Sequence, residues 1–105
     1  MADPGSVGCP FRCIDADLVQ RVLAANPRCQ RLNLTNNSIA FVDGSVAGLS
    51  ETLRALDLSH NKLRVLGHEF GLLTHLRTLI ASGNLIEDVS GLAHCARLQQ
   101  VWYKT

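Results

Sequence analysis

Cys9-Pro-Phe-Arg-Cys13 sets two thiols three residues apart near the start of the chain. Such a pair could form a disulfide or open a metal site, but a structural zinc needs about four Cys or His ligands. His60, His68, His75 and His94 show no metal-ligand spacing. Neither thiol has a neighbouring base that would make it a nucleophile. The expectation is free thiols, with Cys95 a small core residue. Arg54 and Arg77 recur at one offset, and a basic pair can grip carboxylates bidentately. A solvated rim is the plainer reading of them. Asp57 lies close enough to His60 in sequence to pair with it, although a surface pair is worth little. Asn33-Leu-Thr35 and Asn36-Asn-Ser38 match a glycosylation pattern, which has meaning only in a secreted protein. There is no Gly-rich phosphate loop, no G-x-S-x-G and no obvious carboxylate pair. The chain therefore reads as non-catalytic, with no cofactor and no metal.

Composition narrows the partner. The 105 residues suggest one domain. Hydrophobic residues make up 47% and charged residues 18%, which suits a globular fold. Ten basic against nine acidic residues give a net charge of +1. That balance offers no electrostatic reason for a nucleic-acid or anionic-membrane partner. No apolar run is long enough to span a bilayer, and the first eight residues lack the basic start and apolar centre of a secretory signal. The expected location is cytoplasmic, with nucleus or cilium as alternatives.

The elements that position these residues recur in register. Cys29-Gln-Arg-Leu32-Asn-Leu34-Thr-Asn-Asn37-Ser-Ile39 is one copy of a pattern. Leu53-Arg-Ala-Leu56-Asp-Leu58-Ser-His-Asn61-Lys-Leu63 is the second, and Leu76-Arg-Thr-Leu79-Ile-Ala81-Ser-Gly-Asn84-Leu-Ile86 the third. A fourth opens at Leu98, Val101 and Tyr103. The asparagines Asn37, Asn61 and Asn84 fall 24 and 23 residues apart. Period-two alternation turns Leu32, Leu34, Leu56, Leu58, Leu79 and Ala81 inward from short parallel strands. Ile39, Val42, Leu63, Leu66, Ile86 and Val89 pack behind them. The return arms carry Val46 and Leu49, Phe70 and Leu73, then Leu92 and Cys95. They are too short for long helices, so short helical or 3₁₀ turns are expected. An Asn side chain carries both donor and acceptor, so Asn37, Asn61 and Asn84 read as a ladder that satisfies the turn backbones of successive coils.

Ahead of the repeats, residues 1–13 read as a flexible leader. A helix is expected over about 15–26, within a capping segment at 14–28. Asp15 is its N-cap, Ile14 and Val19 can form a hydrophobic staple, and Leu18, Val19, Val22 and Leu23 share one face. Pro27 stops it.

The repeated L-x-x-L-x-L-x-x-N-x-L resembles the leucine-rich repeat family over about residues 29–105. That resemblance implies an α/β fold: a short horseshoe solenoid of about three and a half coils, parallel strands on its concave face, and an N-terminal capping helix. Residues 53–75 look like the common 23-residue intracellular form. Residues 76–97 are nearer the 22-residue form of the protein phosphatase-1 regulatory (Sds22-like) subclass. Cys29 and Ala81 stand where the family has leucine, and no C-terminal cap follows. Cys9-x-x-x-Cys13 is only superficially similar to the disulfide cap of extracellular members, since the next cysteines of that cap are missing.

The function implied is a binding module for another protein. On the concave face the outward residues of successive coils are Arg31, Asn33 and Thr35; Ala55, Asp57 and Ser59; Thr78, Ile80 and Ser82; Gln100, Trp102 and Lys104. Of these, Arg31, Asn33, Asp57, Ile80 and Trp102 are the candidate partner-binding residues, because an exposed Ile beside an exposed Trp is the kind of anchor that interfaces favour. A regulatory or adaptor subunit of a phosphatase, ciliary or spliceosomal complex is one alternative. A fragment of an extracellular recognition protein is another. The uncapped end could also serve self-association or a partner contact.

Overall fold

The structure, a computed structural model, describes residues 13–103. The leader residues 1–12, Lys104 and Thr105 lie outside the described residues, and with them Cys9. Strand β1 is Cys13–Ile14, helix α1 Ala16–Ala25, β2 Arg31–Asn33, β3 Phe41–Val42, β4 Ala55–Asp57, β5 Thr78–Ile80 and β6 Gln100–Trp102. Short 3₁₀ helices at Gly44–Leu49, His68–Leu72 and Ser90–His94 form the return arms, as the arm lengths predict.

β2, β4, β5 and β6 build one parallel sheet in sequence order. Its register follows the repeat: Leu32 pairs with Leu56, Leu56 with Leu79, and Leu79 with Val101. Parallel neighbours need a long crossover between them. Here each crossover is the turn and return arm of one repeat. The inward row from Leu32 to Leu79 is buried, as are Leu34, Leu58 and Ala81. Behind it lie Ile39, Val42, Leu63, Leu66, Val46, Leu49, Phe70 and Leu73, all buried in a single apolar cluster.

α1 packs its apolar face into that cluster. Asp15 caps it, its Oδ1 accepting from the Leu18 amide at 3.1 Å. The Asn26 amide donates to the Val22 carbonyl at its other end. Ile14, Leu18, Val19 and Val22 are buried, while Leu23 is half-buried. The packing runs against the first return arm: a Cβ on Gly48 would sit 3.0 Å from Val19.

Two features differ from expectation. The first is a second, two-stranded parallel sheet, in which β1 pairs with β3, Cys13 opposite Phe41 and Ile14 opposite Val42. Cys13, placed by sequence in the leader, is therefore part of a strand. The second is Ser59, expected on the outer face but buried. It follows Leu58 into the turn, where its carbonyl accepts from the Asn36 amide at 3.2 Å. Burial also falls off toward the last coil, in line with the exposed apolar flank expected there. Ile86, Val89, Leu92 and Leu98 are only half-buried against the core, because β6 is the last strand of the sheet among the described residues.

Candidate functional site

The turn asparagines position everything on the sheet. The Asn61 Oδ1 accepts from the amides of Asn37 and Ile39 in the preceding coil, both at 2.9 Å. Its Nδ2 donates back to the Leu34 carbonyl at 2.9 Å and to its own coil's Leu58 carbonyl at 2.8 Å. Asn84 repeats the scheme one coil on. It accepts from Leu63 and donates to Leu58 and Ala81. Asn37, first in the row, donates to its own coil at Thr35. Asn37 and Asn61 are buried and Asn84 half-buried. Asn61 and Asn84 are thus rivets between two coils, and the strands they join are fixed in register.

The residue before each ladder Asn takes the left-handed conformation: Asn36 at φ 61°, His60 at 57° and Gly83 at 73°. Asn tolerates this region and Gly prefers it. His60 has a reason in space. Its ring lies over Gly83, where an added Cβ would strike Nδ1. The Asp57–His60 pair conceived from sequence does not form. The one ion pair among the described residues is His68–Glu69 at 3.4 Å, and Asp57 turns its Oδ1 to the Ser59 amide at 2.9 Å. Asn33 does the same with Thr35 at 3.0 Å. These are Asx turns, legible in sequence as Asn-x-Thr and Asp-x-Ser, and they explain the candidate acceptor Asn33-Leu-Thr35 by local backbone chemistry.

On the outer face of the sheet the register brings the candidate residues together. Asn33 lies opposite Asp57, Asp57 opposite Ile80, and Ile80 opposite Trp102, while Arg31 lies opposite Ala55. An open depression of about 290 Å³ is lined by Arg31, Leu32, Asn33, Ala55, Leu56, Asp57 and Ile80. Ile80 and Asp57 are half-buried, and Trp102 is 59% exposed. The row is polar at β2 and apolar at β6.

A second opening, of about 560 Å³, lies on another side, lined by residues 40–44, by Lys62, Arg64 and Val65, and by Gly67 and Glu69. Phe41 and Val65 are exposed there. Sequence analysis overlooked this pair, although both stand four residues after a ladder Asn.

Cys13 and Cys95 are free thiols, and the buried Cys29 Sγ donates to the Arg31 carbonyl at 3.2 Å. Burial, then the charges of Asp43 and Asp15, push the Cys13 thiol pKa up. Burial alone raises that of Cys95, whose Sγ donates to the Phe70 carbonyl at 3.2 Å. Raised thiol pKa values make poor nucleophiles at neutral pH. Among the described residues no three Cys, His, Asp or Glu side chains gather where they could hold a metal. No helix there is long and apolar enough to cross a membrane.

Fold and face together define a repeat protein of stacked strand-and-turn units. A profile for the leucine rich repeat matches residues 27–86, more than half of the chain, and the protein belongs to that family. Over 46 residues it is also 48% identical to the geranylgeranyl transferase type-2 subunit alpha of Rattus norvegicus. That match takes in 44% of this chain but only 8% of the rat protein, so the chain spans a small part of the relative's length. Membership of the family implies a protein–protein interaction module, of a kind that is generally non-catalytic.

Proposed function

We propose that this protein is a short leucine-rich solenoid that binds another protein through the outer, concave face of its four-stranded sheet, with α1 as the N-terminal cap. The observation that carries this reading is the register that lines up Asn33, Asp57, Ile80 and Trp102 beside the open depression at Arg31. The ladder holds these side chains on a preformed surface, so little freedom is lost on binding. A half-buried Ile next to an exposed Trp provides the apolar anchor, and Arg31, Asn33 and Asp57 the polar surround.

The test is a binding assay against a partner isolated with the intact chain, comparing Trp102→Ala and Ile80→Ser with Phe41→Ser in the second opening. The face reading expects the first two to lose at least tenfold in affinity with melting unchanged, and the third to bind normally. Loss on Phe41→Ser alone would move the site to the other opening. Loss of folding on Trp102→Ala would make that residue part of the core's cover.

A regulatory role of the phosphatase-1 type is the second reading, supported by the 22-residue third coil at 76–97 and its short Ser90–His94 arm. It implies a cytoplasmic, nuclear or ciliary location. Retention of a phosphatase catalytic subunit on the immobilised protein distinguishes it from a generic scaffold. The rat transferase subunit shares one 46-residue stretch with this chain, and that supports a common repeat module rather than a shared reaction.

A further inference from the structure

In the stretch that follows each ladder asparagine, the second and third coils are zipped together by their backbones. The Glu87 and Asp88 amides donate to the Arg64 carbonyl at 2.7 and 3.3 Å, the Leu66 amide to the Asp88 carbonyl at 2.8 Å, and the Gly91 amide to the Leu66 carbonyl at 3.0 Å. One repeat earlier the matching bonds would run from Arg64 and Val65 to Ala40, from Val42 to Val65, and from His68 to Val42. None of these four forms among the described residues. The first and second coils are joined just ahead of this stretch, by the Lys62 amide on the Ile39 carbonyl at 2.8 Å, and then part. A glycine accounts for the difference. Gly91 stands seven residues after Asn84, and a Cβ there would run into the Gly67 carbonyl. The seventh residue after Asn61 is His68, whose Cβ bars the second coil from settling as closely onto the first. The opening of about 560 Å³ lies at this parting, with residues 40–44 on one wall and residues between Lys62 and Glu69 on the other. That is the size of a ligand cleft, roughly 300–1,000 Å³. On its far side β3 is already bonded, the Asp43 amide to the Ile14 carbonyl at 3.0 Å. Alternate residues of a parallel strand bond to opposite neighbours, so the N–H and C=O of the buried Val42 face the opening. Leaving such a pair unbonded is costly. Phe41 and Val65 are exposed at the mouth. Charge is divided along the opening, with Lys62 and Arg64 where both walls begin and Asp43 and Glu69 where they end.

We propose that this opening is a second docking site, which takes one extended strand of a partner protein running parallel to β3, acidic at its leading end, apolar at its middle and basic at its trailing end. The mode is β-strand addition, in which main-chain bonds hold the peptide and side chains select it. The Val42 N–H and C=O and the Arg64 and Val65 N–H groups gain the kind of bonds that the next pair of coils already has. The apolar side chain packs against Phe41 and Val65. The leading acid meets Lys62 and Arg64, which make no ion pair among the described residues, and the trailing base meets Asp43 and Glu69. The parallel sense follows from the neighbours, since β1 pairs with β3 in parallel and Val65 with Asp88 likewise. The site shares no lining residue with the depression on the sheet face, and it stands whether or not that face binds a partner.

The experiment uses the intact, isotope-labelled chain and the peptide acetyl-Ser-Glu-Thr-Val-Thr-Lys-Ser-amide, read by NMR. The comparisons are the same peptide with its Glu and Lys exchanged, and one N-methylated at its valine. In the free chain the amides of Val42, Arg64 and Val65 should exchange with solvent at least tenfold faster than those of Leu66, Glu87 and Asp88. Equal protection would mean that the first two coils close on each other, and would overturn the site. The peptide should shift the Val42, Arg64 and Val65 resonances, slow their exchange at least tenfold, and leave β5 and β6 unchanged. N-methylation and charge exchange should each weaken it at least tenfold. Lys62→Glu with Arg64→Glu should do the same with melting unchanged, whereas Trp102→Ala should leave binding as it was. Equal affinity for the N-methylated peptide would overturn strand addition, and equal affinity for the charge-exchanged one would overturn the stated polarity of the ligand. Shifts confined to Asp57, Ile80 and Trp102 would place the peptide on the sheet face and overturn the second site. No shift at millimolar peptide would overturn it outright.

Discussion

Asn61 makes more bonds between coils than any other side chain here. It joins Asn37, Ile39, Leu34 and Leu58 through one amide group. Removing it strands two amides and the Leu34 carbonyl away from water, while the Leu58 carbonyl keeps its bond from Asn84, and each unsatisfied group costs on the order of 1–3 kcal/mol. Asn61→Ala should therefore lose roughly 3 kcal/mol by denaturant melt, or about 15 °C in Tm for a domain of this size. Asn84→Ala should lose about half as much, because Asn84 is half-buried and accepts from a single amide of the preceding coil, that of Leu63. Equal losses would show that the ladder does not act coil by coil. Glycines divide as sharply. A Cβ on Gly91 would run into the backbone carbonyl of Gly67, while one on Gly44 would meet nothing within 4 Å. Gly91→Ala should cost 2 kcal/mol or more, of the order of an overpacked core. Gly44→Ala should be neutral or stabilising by up to about 1 kcal/mol. A folded, undiminished Gly91→Ala would mean that the second and third coils approach less closely than described.

At the scale of elements, the strands and α1 follow from local pattern, whereas the β1–β3 sheet does not. α1 has its cap, its stripe and its stop within a dozen residues of sequence. Asp15→Ala should cost about 1 kcal/mol, measured by chemical denaturation. A change below about 0.3 kcal/mol would mean that packing of Leu18 and Val22, rather than the cap, fixes the helix start. β1 and β3 are two residues each, too short to show any period, and they pair across most of the first coil. Only Ile14 and Val42, both buried, hint that the two segments meet. The same arrangement leaves Phe41 outward and exposed.

For the molecule as a whole, the two ends of the apolar cluster are unlike. Toward one, Leu18, Val19 and Val22 of α1 pack into it. At the other, Ile86, Val89, Leu92 and Leu98 are half-buried and β6 is the last strand of the sheet among the described residues, an edge of the kind that invites pairing with another chain. Self-association through that edge is the expected outcome, read as a weight-average mass that rises with concentration in sedimentation or light scattering. A mass fixed at 11.4 kDa over the accessible range would rule it out.

The sequence by itself determined the repeat, its family, the inward leucines and the residues that share the sheet's outer row. Those depend on periods of two and of about 23, and local chain geometry converts a period directly into a face. It also held the Asx turns, unread, in Asn33-x-Thr35 and Asp57-x-Ser59. Only the tertiary structure decided which side chains remain free to act. It buried Ser59 in a turn, laid His60 over Gly83, and set Arg54 beside Arg77 on neighbouring strands. Each of these depends on neighbours about 23 residues away in sequence but only one strand spacing away in space. No local pattern encodes that proximity until the coils have stacked.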